Sequence, residues 1–96
     1  MYESRFQCEA NDELFQAILS LESLEDCYRF FEDLMTIKEL QAVSQRWQVA
    51  LMLDQKKTYG EIETETSASA ATISRVNKCL QYGAGGYVNV LKRFKR

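Results

Sequence analysis

Histidine and proline are both absent from this sequence of 96 residues. Without histidine, the chain lacks the side chain most used for acid–base work near neutral pH and a common zinc ligand. Its three cysteines, Cys8, Cys27 and Cys79, are an odd number with no CxxC spacing. A disulfide framework and a zinc site are therefore not expected, and the free thiols fit a reducing cytoplasm. Glycine occurs four times, three of them within residues 83–86. A chain with no proline and so few turn residues favours helices. No apolar run approaches the roughly 20 residues of a membrane span, and residues 1–10 are too polar for a signal peptide. There is no phosphate-binding loop, no metal-ligand cluster and no nucleophile beside an evident base. Neither an enzyme nor a cofactor is expected.

What is present is apolar surface and an uneven charge. Hydrophobic residues make up 46% of the chain, high for its length. A lone monomer this small leaves much of that surface wet, and oligomerisation is one way to bury it. The net charge of −2 divides sharply. Residues 1–40 hold ten acids and three bases, and residues 41–96 hold four acids and nine bases. Phosphates are met by one face of a protein, so the location of the basic residues counts for more than their total.

Along the chain, residues 1–10 have no clear period and read as an arm or short lead-in. Asn11 is a good N-cap for a helix over residues 12–21, with Asp12 and Glu13 in its first turn. Leu14, Phe15, Ile18, Leu19 and Leu21 form its apolar face. Ser23 caps a second helix, 24–35, with Leu24, Cys27, Tyr28, Phe31, Leu34 and Met35 at helical spacing. Cys27 on that stripe reads as a small core residue rather than a reactive thiol. Thr36 and Glu39 make a capping box for a long helix, 37–55, with a stripe of Ile37, Leu40, Val43, Trp47, Ala50/Leu51 and Leu53. Its segment WQVALML is apolar nearly all round and should be covered on more than one side. Trp47 reads as a core or dimer-interface anchor.

Residues 59–80, YGEIETETSASAATISRVNKCL, carry the strongest signal. Thr58 and Glu61 form a second capping box and open a helix over 59–66. Ser67 and Ala68 form a turn, and Ser69 caps a helix over 70–80. This is the outline of a helix-turn-helix. Ile73, Val76 and Leu80 should face inward against Ile62, with Ala68 buried between the helices. Ser69, Ala70, Thr72 and Ser74 are short, so the backbone can approach base edges; hydroxyls can bond bases or phosphates, and a methyl can meet thymine. Arg75 and Lys78 can neutralise phosphates, and Arg75 can also reach a guanine. The DNA-binding set expected is Ser69, Ala70, Ala71, Thr72, Ser74, Arg75 and Lys78. The same outline also serves in helical protein–protein modules that bind no DNA, which is the alternative reading.

The run Ser69-Ala70-Ala71-Thr72-Ile73-Ser74-Arg75-Val76 resembles the second helix of many bacterial helix-turn-helix regulators. Residues 34–80 resemble the DNA-binding half of the Trp-repressor-like superfamily. With the runs DELFQAILSLES and CYRFFEDLMTIKEL, the layout is similar to its YerC/YecD branch. Two positions depart from the general motif. Ser67 stands where glycine is usual and φ is often positive, and Glu63 stands where a small residue usually packs; a wider turn or a rotated first helix would accommodate them. The resemblance further implies that Arg46 and Arg75 match the two arginines of the family's corepressor pocket. Val76, however, replaces a glycine beside the indole, and Cys79 replaces a serine that meets the ligand's amino group. The valine intrudes into the slot and the thiol is a poor partner for an ammonium, so no tryptophan response is expected, and the sequence leaves open a different effector or none. Arg46 is then a phosphate contact or a solvated side chain.

Residues 83–86 end that helix, and residues 87–94 read as a last helix with Tyr87, Val90, Leu91 and Phe94 on its apolar face. Lys92, Arg93, Lys95 and Arg96 make a basic end, either solvated at a helix C-terminus or an auxiliary phosphate contact. The expectation is an all-α domain of about six helices spanning residues 11–96. The resemblance implies an intertwined homodimer. Two recognition helices about 34 Å apart would suit a palindromic double-stranded operator. The expected role is a cytoplasmic transcriptional regulator, most simply a repressor.

Overall fold

The computed structural model describes residues 2–94. Among them are six helices and no strand: α1 (Glu9–Leu19), α2 (Leu24–Leu34), α3 (Ile37–Asp54), α4 (Tyr59–Thr66), α5 (Ala70–Tyr82) and α6 (Gly86–Phe94). Lys95 and Arg96, part of the expected basic end, lie outside the described residues. The chain divides into two compact units, one up to Thr36 and one from Ile37 onward.

In the first unit, α1 starts three residues earlier than the sequence implies. The expected cap, Asn11, lies inside the helix, and its side-chain amide donates to the Phe6 carbonyl at 2.7 Å. Cys8 takes the N-cap position without a side-chain bond, while Glu9 and Asp12 supply the acid that a helix N-terminus favours. Helix α2 begins as read. The Ser23 hydroxyl accepts from the Asp26 amide at 3.0 Å. Neither helix contains a fully buried residue. Leu19 and Leu24 are 78% and 76% exposed, and Tyr28 and Leu34 are exposed as well.

The second unit holds the core. Val49, Ala50, Met52, Ile62, Ala68, Ile73 and Val76 pack as one buried cluster, flanked by Trp47, Leu53, Leu80 and Tyr87. Each large aliphatic side chain buried this way contributes about 1.5–3 kcal/mol. Helix α3 is the strut, with α4, α5 and α6 all packed against it. Its apolar WQVALML segment is covered from several sides, as expected. The N-terminal part of its stripe differs: Ile37 is 73% exposed and Val43 44%.

The end of α3 is built without glycine. Lys56 adopts φ 64, the Lys57 amide donates to the Met52 carbonyl and the Lys56 amide to the Leu53 carbonyl, both at 3.0 Å. That pair of bonds is a Schellman cap, with a lysine in the left-handed position usually given to glycine. It turns the chain sharply into Thr58. The Thr58–Glu61 capping box is complete: Glu61 N–H donates to Thr58 Oγ1 at 3.1 Å, and Thr58 N–H donates to Glu61 Oε1 at 3.0 Å. These bonds to the Thr58 backbone and side chain, with Lys57 nearby, hold the Glu61 carboxyl below its ordinary range.

Candidate nucleic-acid interface

Helices α4 and α5 are joined by three residues, Ser67 to Ser69. Ser67 meets the demand of the turn itself, at φ 61 and ψ 14, with its amide bonded to the Glu63 carbonyl at 2.9 Å. The left-handed turn position is therefore kept with serine in it. Ala68 is 4% exposed and fills the space between the helices. Thr66 ties this corner together. Its hydroxyl donates to the Ile62 carbonyl at 2.7 Å and accepts from the Ala68 amide at 3.1 Å. Its carbonyl accepts from the Gln45 side-chain amide of α3 at 3.0 Å. One of the orphan carbonyls at the end of α4 is thus satisfied by the strut, which fixes where α5 begins.

Ser69 caps α5. Its hydroxyl accepts from the Thr72 amide at 3.2 Å and bonds Thr72 Oγ1 at 3.1 Å. Ile73 and Val76 point into the core. Ser69, Ala70, Ala71, Ser74, Arg75 and Lys78 are all exposed. Thr72 is half-buried and sits at the margin of that face. The exposed residues form a surface of small hydroxyl and methyl groups, followed by two cations one helical turn apart. Such a surface lets the backbone come close to base edges and sets positive charge along a phosphate row. Glu63 and Glu65 of α4 are exposed nearby in sequence, so the cationic character belongs to α5 and not to the motif as a whole.

Behind the exposed face lies a small cleft of about 120 Å³, lined by Arg46, Thr72, Arg75, Val76, Cys79 and Tyr87. It unites the four residues expected around a family pocket, Arg46, Arg75, Val76 and Cys79, and adds Thr72 and Tyr87. Arg46 is exposed at its rim. Tyr87 stacks on Trp47 with ring centroids 6.4 Å apart and an interplanar angle of 16°. Burial pushes the Tyr87 phenol above its ordinary value, with Cys79 adding and Arg46 and Arg75 opposing, so it is neutral and protonated near pH 7.

The family model described as Trp repressor protein matches residues 9–95. The chain belongs to the Trp repressor family. Within that family it is 58% identical over 84 residues to the uncharacterised protein YerC of Bacillus subtilis strain 168, covering 88% of this chain and 81% of that protein. Its fold matches a crystal structure of a candidate Trp repressor from Staphylococcus aureus, with a TM-score of 0.89, 52% identity, and 94% and 90% of the two chains covered. It also matches a TrpR-like protein from Eubacterium eligens ATCC 27750, with a TM-score of 0.90, 50% identity, and 94% and 93% covered. Both the superfamily and the YerC branch were legible in the sequence.

Two site residues were not. Gln45 carries no local signal, because its bond to Thr66 spans 21 residues. Tyr87 was legible as part of an apolar face, but its place beside two arginines depends on α6 folding back along α5. Among the described residues there is no group of histidine, cysteine or acidic side chains able to hold a metal, and no helix long and apolar enough to cross a membrane.

Proposed function

We propose that this protein is a sequence-specific regulator of transcription that binds double-stranded DNA through α5, most simply as a repressor in the bacterial cytoplasm. The observation that carries this reading is the exposed face of α5, held by a completed capping box, a left-handed Ser67 and the Gln45–Thr66 bond. Membership of the Trp repressor family supports it. Ser69, Ala70, Ala71, Thr72 and Ser74 supply base-edge contacts, and Arg75 and Lys78 supply the charge. The apolar faces of α1 and α2, exposed in the single chain, are covered in an intertwined two-fold dimer that makes residues 11–96 one working domain. The two copies of α5 then meet a palindromic operator.

On this reading tryptophan is not the effector, because Val76 and Cys79 line the small cleft beside Arg46 and Arg75 and a thiol is a poor partner for an ammonium. Selection from a random-duplex library tests the reading. The expected result is a palindrome whose affinity is unchanged by tryptophan and is lost when Arg75 and Lys78 are both replaced by alanine. No duplex affinity at low salt would instead favour a protein–protein module.

A further inference from the structure

The recognition helix is held on two sides by different means. One side is ordinary core: Ile73 and Val76 are buried against α3 and α4. The other side, the line Thr72, Arg75 and Cys79, has no buried side chain of its own. It faces the small cleft, and across that cleft stands Tyr87.

Tyr87 is held there by its ring contact with Trp47, on which a second aromatic of α6 also packs. This is Phe94, two turns further along the helix, with its ring centroid 5.6 Å from that of the indole. Leu91, between them, is 4% exposed. The connection that turns α6 back is equally constrained. A Cβ on Gly83 would collide with the Cys79 carbonyl oxygen, and Gly85 takes φ +88. Two glycines thus set the direction in which α6 leaves α5. The only tryptophan in the chain is the anvil for this arrangement.

We propose that Tyr87 is a positioning residue for the recognition helix: its ring, stacked on Trp47, braces the Thr72–Arg75–Cys79 side of α5, so that DNA binding needs no small-molecule effector. The inference rests on the DNA-binding reading above and adds its regulation. A helix braced from within the chain is already in its binding orientation, and a ligand that supplied the same support would gain nothing. Removing the ring lowers the population of the competent orientation, and apparent affinity falls by the same factor. It also joins the cleft to the open apolar groove of about 480 Å³ lined by Trp47, Cys79, Ala84, Gly86, Tyr87 and Val90. That leaves room for a free phenol.

The test uses the full chain and a duplex selected with the native protein. Wild-type protein is unfolded in denaturant, freed of small molecules and refolded; it should bind the duplex as tightly as before. Tyr87→Phe should bind within about twofold of wild type, because the ring remains. Tyr87→Ala should lose at least tenfold, with helix content by circular dichroism unchanged and the Trp47 emission shifted. Millimolar p-cresol, the tyrosine side chain as a free molecule, should restore most of that affinity in Tyr87→Ala and leave wild type unaffected. If Tyr87→Ala fails to fold, Tyr87→Leu takes its place for the affinity measurement, where it should lose affinity that Tyr87→Phe keeps; p-cresol should not restore it, because leucine fills part of the vacated space. Wild type that loses its affinity on refolding until a small molecule is returned would overturn the inference, as would alanine and leucine variants that bind like wild type, or a loss in Tyr87→Ala that p-cresol does not relieve. A native protein that never bound any duplex would refute the DNA-binding reading itself, and this inference with it.

Discussion

Replacing Ser67 by glycine should stabilise the protein. Ser67 sits at φ 61 and ψ 14, in the left-handed region, and its side chain is exposed. That conformation costs a residue with a Cβ about 1–2 kcal/mol. Glycine removes the cost, but its greater freedom in the unfolded chain offsets about 0.4–1 kcal/mol. The difference is a gain of roughly 0.5–1 kcal/mol, or about 2–8 °C in Tm for a domain of this size. Ser67→Val should move the other way, because a β-branched residue is the least tolerant of positive φ. Thermal unfolding followed by circular dichroism measures both, at one fixed protein concentration because association also raises Tm. Glycine and valine variants that melt together with wild type would refute the left-handed turn, and with it the geometry that sets α5 on α4.

Three further outcomes follow from particular residues. The Glu61 carboxyl is held below its ordinary value of 4.5 by its bonds to Thr58, so its contribution is fully present above that pH and is lost as pH falls through the lowered folded value. The Tm difference between wild type and Glu61→Gln should therefore be present at pH 7 and disappear in acid; a difference that grew in acid would have the wrong sign. Gly83→Ala drives a methyl into the Cys79 carbonyl and should cost about 1–3 kcal/mol in urea unfolding. Sedimentation at micromolar concentration should give about twice the chain mass of 11.1 kDa; a stable species at that single mass would remove the two-fold dimer from the proposal.

The parts of this fold that were legible in the sequence are those fixed by short-range chemistry. Ser23, Thr58 and Ser69 each start a helix where a cap was read, because a hydroxyl reaching the amide three residues on is a local event. Asn11 had the same appearance and misled, since its amide is satisfied by Phe6 instead of by its own helix. The end of α3 was read to within one residue, but the shape of its cap was not: glycine marks a left-handed cap, and here lysine occupies it. The apolar stripes of α1, α2 and the start of α3 were read correctly as stripes. Periodicity says which side of a helix seeks cover and does not say which chain supplies it, and residues such as Leu24 and Ile37 stay exposed in one copy. The exposed face of α5 was readable because it is one helix long. The meeting of Arg46, Cys79 and Tyr87 joins three helices, and only the family resemblance hinted at part of it.

The claim at the centre is that α5 meets phosphates, and the salt dependence of duplex binding tests it most directly. Each phosphate contact contributes about −0.9 to the slope of log K against log salt. Wild type should bind a selected duplex with a steep negative slope. Lys78→Ala should flatten it by about 0.9 for each copy engaged, with the sequence preference kept. A slope near zero in wild type, or one that Lys78→Ala leaves unchanged along with the affinity, would contradict the account.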